Sequence, residues 1–287
     1  QPHVAAEGFR SEAGFEMRET LLARTLFSCG PQCTFYRPVY SGGDAEVGKE
    51  TFLDSIFAEG NLILGPRAEV RDWAACGGIL HLRHHAWIGG VARAGYAIIL
   101  GGEATAFALD APEISTQGRE YGAASNPGWA PELVRQVHPP GRDLKPPDLP
   151  GADARQWRAL DAQTWMYDGA LVLEAPVWLR AHLRTRGAFA CPAGSLLDCD
   201  LASGGSVRIG PASVCGRDVR ANGDLVLESD VIFQGELDSE RTIRLRSGVR
   251  GFRQDGPVLS RSKGSTLLEP NVVVRGRVEA RGLVRAL

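Results

Sequence analysis

The chain has 287 residues, of which 44% are hydrophobic and 23% charged, and its formal net charge is -2. This balance excludes a disordered or collagen-like chain, and it gives no electrostatic reason to expect a nucleic-acid partner. No apolar run approaches the ~20 residues of a spanning helix; the most apolar stretch, Ala97 to Leu100, is far too short.

The chain begins at Gln1 rather than Met. A signal or membrane anchor upstream of Gln1 therefore stays open, and with it membrane association or export. Residues 1–54 form the first segment and carry no six-residue pattern. Phe15, Met17, Leu21, Leu22, Leu26 and Phe27, set among Glu and Arg, predict an amphipathic helix over Ser11 to Phe27. Tyr36 to Gly43, with Pro38 and Gly42-Gly43, reads as a loop or short strand. Cys29 and Cys33 flank a Gly-Pro turn and are disulfide candidates in an oxidising compartment; free thiols and a metal site are the alternatives. No further ligands follow at zinc spacing, so no metal or cofactor is expected.

Residues 55–113 carry a repeat of six. One apolar column is Leu62, Ala68, Ala74, Leu80, Ala86, Ala92, Ile98 and Ala104; a second, two residues on, is Leu64, Val70, Cys76, Leu82, Ile88, Ala94, Leu100 and Ala106. Residues 114–168 lose the repeat and are rich in proline, which predicts an ordered excursion with short helices at Ala130 to Val137 and Ala152 to Trp165. The repeat returns over residues 169–287. Its columns there run Leu171, Val177, Leu183, Phe189, Ser195, Leu201, Val207, Ser213 and Val219, and two residues on Leu173, Leu179, Thr185, Cys191, Leu197, Ser203, Ile209 and Cys215. An interruption over 252–266 precedes a last coil marked by Val272, Val278 and Val284.

Six residues make one short strand and a turn, and three hexads make one coil of eighteen. The expected fold is mainly β, a triangular parallel β-helix in which successive coils stack at about 4.8 Å and inward side chains form ladders. Outward positions then carry the functional information. On one face of the second block they are Trp178, Leu196, Val214 and Ile232, an apolar stripe that water should not see. The first block has Ile63 and Ile99 flanking His81 on one face, and Trp87 on the next. Trp178, Leu196, Val214, Ile232, Ile63 and Ile99 are the candidate interface. Val284 near the C-terminus suggests a last coil that is barely covered, and unpaired strand edges recruit further strands.

Chemistry is sparse. His81, His84 and His85 are the only histidine cluster, and no phosphate loop, nucleophile elbow or paired-carboxylate motif is present. The second block does not stack acids with bases on one wall as a sugar-cleaving solenoid would. The small-x-aliphatic-Gly cadence of Ala86-Trp87-Ile88-Gly89 and Ala74-Ala75-Cys76-Gly77 resembles the hexapeptide-repeat acyltransferases. That resemblance implies a histidine general base, for which His84 and His85 are the candidates.

The run Gly223-Asp224-Leu225-Val226-Leu227-Glu228-Ser229-Asp230-Val231-Ile232-Phe233-Gln234-Gly235-Glu236-Leu237 resembles the bactofilins, the polymer-forming cytoskeletal β-helices of bacteria. Ile243 to Gly251 and Asn271 to Ala280 continue the same cadence. The resemblance implies a three-sided solenoid with no nucleotide requirement whose end coils meet end to end. It also implies a bacterial protein, cytoplasmic or membrane-associated, or exported if Cys29 and Cys33 are bonded. The expected function is a non-enzymatic structural or scaffolding element that self-associates as a homo-oligomer or filament, or docks a partner. An acyltransferase and a carbohydrate-binding solenoid using Trp87 or Trp178 are the alternatives.

Overall fold

The computed structural model describes residues 3–116 and 148–287. Strand makes up 54% of the protein and helix 2%, arranged as a parallel β-solenoid of about 14 turns. Two compact units are present, Gln1–Gln117 with Val274–Leu287, and Gly118–Val273.

In the second unit the ladders form in the register that the eighteen-residue step demands. Leu171, Phe189, Val207, Leu225 and Ile243 stack inward on one face, and Leu183, Leu201, Val219 and Leu237 on another. All of these are essentially inaccessible to water. Each such side chain contributes roughly 1.5–3 kcal/mol by burial, so the interior rather than hydrogen bonding alone holds the coils together.

The first unit is built the same way, and it starts earlier than the sequence suggests. Ser11 to Phe27 is not a helix: His3–Ser11, Glu16–Met17 and Thr20–Cys29 are strands, and residues 1–54 are coils of the solenoid rather than a lead-in. Leu21, Ala23, Phe27 and Cys29 point inward, while Leu22 and Leu26 lie on the outer side of the same strand. With apolar residues on both sides of a bent strand, their spacing imitates a helical face. Strand pairing to Val39–Ser41 and Ala45–Val47 decides the matter.

Two further expectations change, and a third, the helix at Ala130 to Val137, lies outside the described residues. Ala152 to Trp165 is a short 3-10 turn at Ala154–Gln156 followed by an antiparallel hairpin, Trp157–Ala159 against Thr164–Tyr167. The 252–266 interruption is smaller than its sequence, because Val258–Ser262 rejoins the ladder against Leu237–Ser239 and only the chain between Gly251 and Val258 leaves it.

The C-terminal coil is also not open. Val272, Val278 and Val284 are buried, and the strand Val273–Ala286 pairs with Thr105–Thr116. Glu103 forms an ion pair with Arg285, and Glu113 with Arg275. As the numbering rises from Glu103 to Glu113 it falls from Arg285 to Arg275, so these strands run antiparallel. The end of the first unit's last coil is thus closed by the chain's own final strand.

One corner of most coils is built on a left-handed residue. Gly14, Gln32, Glu50, Arg67, His85 and Glu103 hold φ between 56° and 72° in the first unit, and Gly194, Ala212, Asp230, Gly248 and Asn271 repeat the corner in the second. Most of their N–H groups are directed at the next coil: Gln32 donates to Lys49, Arg67 to His84, and Ala212 to Ser229. The two serines that break the apolar column sit inside this corner, both fully buried. Ser213 accepts from the Ser195 N–H at 3.0 Å, and both hydroxyls donate to the Pro192 carbonyl, at 3.1 Å from Ser195 and 3.3 Å from Ser213. They satisfy main-chain groups that the tight corner leaves unpaired, which an apolar residue cannot do.

Two outcomes follow. Ala212→Gly relieves a left-handed strain of about 1 kcal/mol, and chemical denaturation should show the variant stabilised by up to that amount. Ser213→Ala leaves the Ser195 N–H without its acceptor and should cost about 1–3 kcal/mol in the same measurement.

Candidate functional site

The apolar stripe of the second unit has the predicted register, Trp178 beside Leu196, Val214 and Ile232 in turn. It is not open to a partner along its length. Val214 is 1% and Ile232 8% exposed within the single chain, and only Trp178 and Leu196 are half-buried. The Arg180 guanidinium lies 5.6 Å from the centre of the Trp178 ring, so the most accessible aromatic of this face is itself covered by a cation.

In the first unit Ile63, His81 and Ile99 stack as a column. Ile99 is buried and Ile63 half-buried, and burial, with the Arg83 charge beside it, holds His81 below the usual histidine range. Trp87 lies half-buried between Glu69 and Thr105. His84 and His85 are exposed at the left-handed corner with their rings in edge contact at 4.8 Å. His85 occupies the same place as Arg67 and Glu103 in neighbouring coils, and its N–H serves the Gly102 carbonyl. Its position is therefore explained by the corner. Among the described residues no group of three His, Cys, Asp or Glu side chains is arranged to hold a metal ion.

Cys29 and Cys33 are free thiols rather than a disulfide. Both point inward at one corner, on either side of the left-handed Gln32. The Cys33 thiol donates to the Glu12 and Gly30 carbonyls at 3.2 and 3.3 Å, taking the part that Ser195 takes in the other unit. Burial pushes the Cys29 thiol up to about 12, and the Cys76 and Cys191 thiols up to about 11.

Two surface features escaped the sequence reading. The first is an outward column in residues taken for a helix and a loop: Leu22, Tyr40 and Phe57 stack on successive coils, and Leu22 and Tyr40 are exposed. At the N-terminal end of this unit Phe9 stacks on Phe27 with ring centres 5.6 Å apart, and Phe15 and Phe35 pack around them. Phe9 and Phe15 are only half-buried.

The second feature is a polar cleft of about 550 Å³ in the other unit, lined by Asp200, Gly216, Arg217, Asp218, Gln234, Gly235, Glu236, Arg253, Gln254 and Asp255. It corrects the expectation that acids and bases do not share a wall. His182, Asp200, Asp218 and Glu236 each precede an inward residue of the ladder Leu183, Leu201, Val219, Leu237, so they stack along one corner. His182 Nδ1 lies 3.1 Å from both the Asp200 N–H nitrogen and its carboxylate. Asp218 Oδ1 accepts from the Glu236 N–H at 2.9 Å. The signal was available as a polar column eighteen residues apart, one position ahead of the apolar one.

Comparison with protein-family models, curated proteins and solved structures gives no match.

The buried thiols carry one pH dependence with a definite sign. Cys29, Cys76, Cys191, Cys199 and Cys215 all have their ionisation pushed above the ordinary value of 9.0, chiefly by desolvation. The folded protein keeps these thiols neutral while the unfolded chain ionises them, so stability is intact below pH 9 and falls between pH 9 and about 12. Under reducing conditions the unfolding midpoint should decline across that window. Cys29→Ser should lose part of the decline, at about 1.4 kcal/mol per unit of displaced pKa.

Proposed function

We propose that this protein is a non-enzymatic structural or scaffolding element, bactofilin-like in action, that associates with further copies of itself through a solenoid end. The observation that supports this reading most is the strand His3–Ser11. It pairs with Thr20–Cys29 along one edge, and among the described residues nothing pairs with the other edge. An unpaired edge presents a row of N–H and C=O groups that another strand satisfies. Beside it, the half-buried Phe9 and Phe15 leave apolar surface that a stacked coil would cover. The opposite end of this unit offers no such edge, because the antiparallel strand Val273–Ala286 occupies it.

The exposed column of Leu22 and Tyr40, with Phe57 behind it, lies on an outer face of the same unit and supports lateral docking of a partner protein as the accompanying activity. Nothing favours the acyltransferase alternative over it, since the corner geometry already accounts for His84 and His85.

Sedimentation velocity over a hundredfold concentration range, with electron microscopy of the same samples, tests the reading. The expected result is concentration-dependent growth into end-joined particles. Val4→Lys places a charge in the inward register of the exposed end coil. It should return the protein to monomer while leaving the unfolding midpoint within about 1 kcal/mol of the parent, as for other exposed positions. A wild-type protein that stays monomeric throughout that range would overturn the proposal.

A further inference from the structure

The polar cleft of the second unit is not used by an assembly through the first unit's end, and its construction has its own logic. Its wall is a corner column. The Asp200, Asp218 and Glu236 backbones carry the ladder, their carbonyls accepting from Leu183, Leu201 and Val219. Their carboxylates therefore project from three successive coils, one rung of about 4.8 Å apart. Its floor is kept open by glycine. A Cβ on Gly235 would fall 2.3 Å from the Arg217 carbonyl carbon, so no side chain fits there. Its third side is the short excursion between Gly251 and Val258, which brings Arg253, Gln254 and Asp255 to the cleft. Beneath it each coil steps by eighteen residues, as in Val219 to Leu237; the excursion makes the next step longer, Leu237 to Ser260.

Two of the wall carboxylates are partly engaged: Asp200 pairs with His182 at 3.1 Å, and Asp218 accepts from the Glu236 N–H and lies 3.9 Å from Arg220. Arg217 reaches only Asp198, at 3.9 Å, which lies outside the lining. The side chains of Glu236, Arg253, Gln234, Gln254 and Asp255 have no hydrogen-bond or ion-pair partner among the described residues. The unpaired carboxylates of Glu236 and Asp255, the unpaired guanidinium of Arg253 and two unpaired carboxamides thus share one concavity whose volume lies within the ~300–1,000 Å³ usual for small-molecule sites.

That lining selects its ligand by chemistry. It holds no apolar side chain, which excludes a hydrophobic ligand. Carboxylates outnumber guanidiniums, Asp200, Asp218, Glu236 and Asp255 against Arg217 and Arg253, which disfavours phosphorylated and uronic ligands. A ligand dense in neutral hydroxyls suits it. Each hydroxyl donates to a carboxylate or carboxamide oxygen and accepts from a guanidinium or amide N–H, and the charge-assisted bonds are the strong ones. We propose that this cleft is a binding site for a neutral saccharide, gripped by the carboxylates of Asp218 and Glu236 on the wall and by Arg253 and Gln254 on the excursion.

Titration calorimetry with the full chain tests this, using cellotriose, xylotriose and maltotriose as neutral probes, trigalacturonate as the acidic probe and calcium chloride alone. At least one neutral trisaccharide should bind, and trigalacturonate should bind at least tenfold more weakly. Glu236→Gln and Arg253→Gln, both at exposed positions, should each weaken the neutral sugar by about tenfold without changing the circular dichroism spectrum or the unfolding midpoint. His84→Ala, in the other unit, should leave binding unchanged. Binding of calcium without any saccharide, absence of binding by all three neutral sugars, or affinity unaffected by both cleft variants would each overturn the proposal.

Discussion

Every coil of this protein must present the next one with the same row of hydrogen-bonding groups and the same inward side chains. That periodic constraint, one rung of parallel pairing per eighteen residues, is what the rest of the structure depends on. It explains why Leu, Val, Ile and Phe can replace one another along Leu171, Phe189, Val207, Leu225 and Ile243. Volume varies from rung to rung, but the alternation cannot, because a one-residue slip turns an inward side chain outward.

The same constraint determines where polar residues enter the interior. At the left-handed corner the backbone turns too sharply for its carbonyls to find partners in the ladder. Ser195, Ser213 and Thr51 meet them from inside, the last accepting from the Cys33 N–H at 3.3 Å and donating to the Gly30 carbonyl at 3.2 Å. On the opposite edge of the narrow interior, Ser203 and Ser239 donate to the Gly187 and Gly223 carbonyls at 2.7 and 2.8 Å. These buried hydroxyls are thus part of the same hydrogen-bonding account as the strands. They are not flaws in the hydrophobic column.

How much of this was legible depends on register. From Leu62 to Ala106 and from Leu171 to Val249 the columns could be read directly, because each hexad keeps its length and most inward residues are apolar, the rest being small. The coils before Ile56 were hidden for two physical reasons. Val39 pairs with Ile56 and Ala45 with Leu62, a step of seventeen, so hexads counted back from Leu62 fall out of phase between Leu53 and Ile56. Their inward positions also include Ser41, Thr51, Cys29 and Cys33, which do not announce themselves as core. The outward Leu22 and Leu26 then supplied a false helical face. The closure of Thr105–Thr116 by the last strand has no periodic trace at all, since it joins residues far apart in sequence through antiparallel pairing.

The polar cleft shows why a solenoid places its chemistry where a hydrophobic scan is blind. Faces of the triangle are flat, and their outward side chains stand apart at strand spacing. Corners are where the chain can lengthen without disturbing the ladder, because the residues on either side still find their partners: Leu237 pairs with Ser260 as securely as Val219 with Leu237. A few added residues between Gly251 and Val258 therefore leave the core untouched and turn a convex corner into a concavity. The column of Asp200, Asp218 and Glu236 meets that addition at no cost to packing, since its members serve the ladder through their backbones while their side chains stay outside the core, Asp218 capping the Glu236 N–H and Asp200 meeting His182. In a repeat protein the residues free to acquire a ligand are thus those one step out of phase with the core, next to the coil whose length departs from the rest.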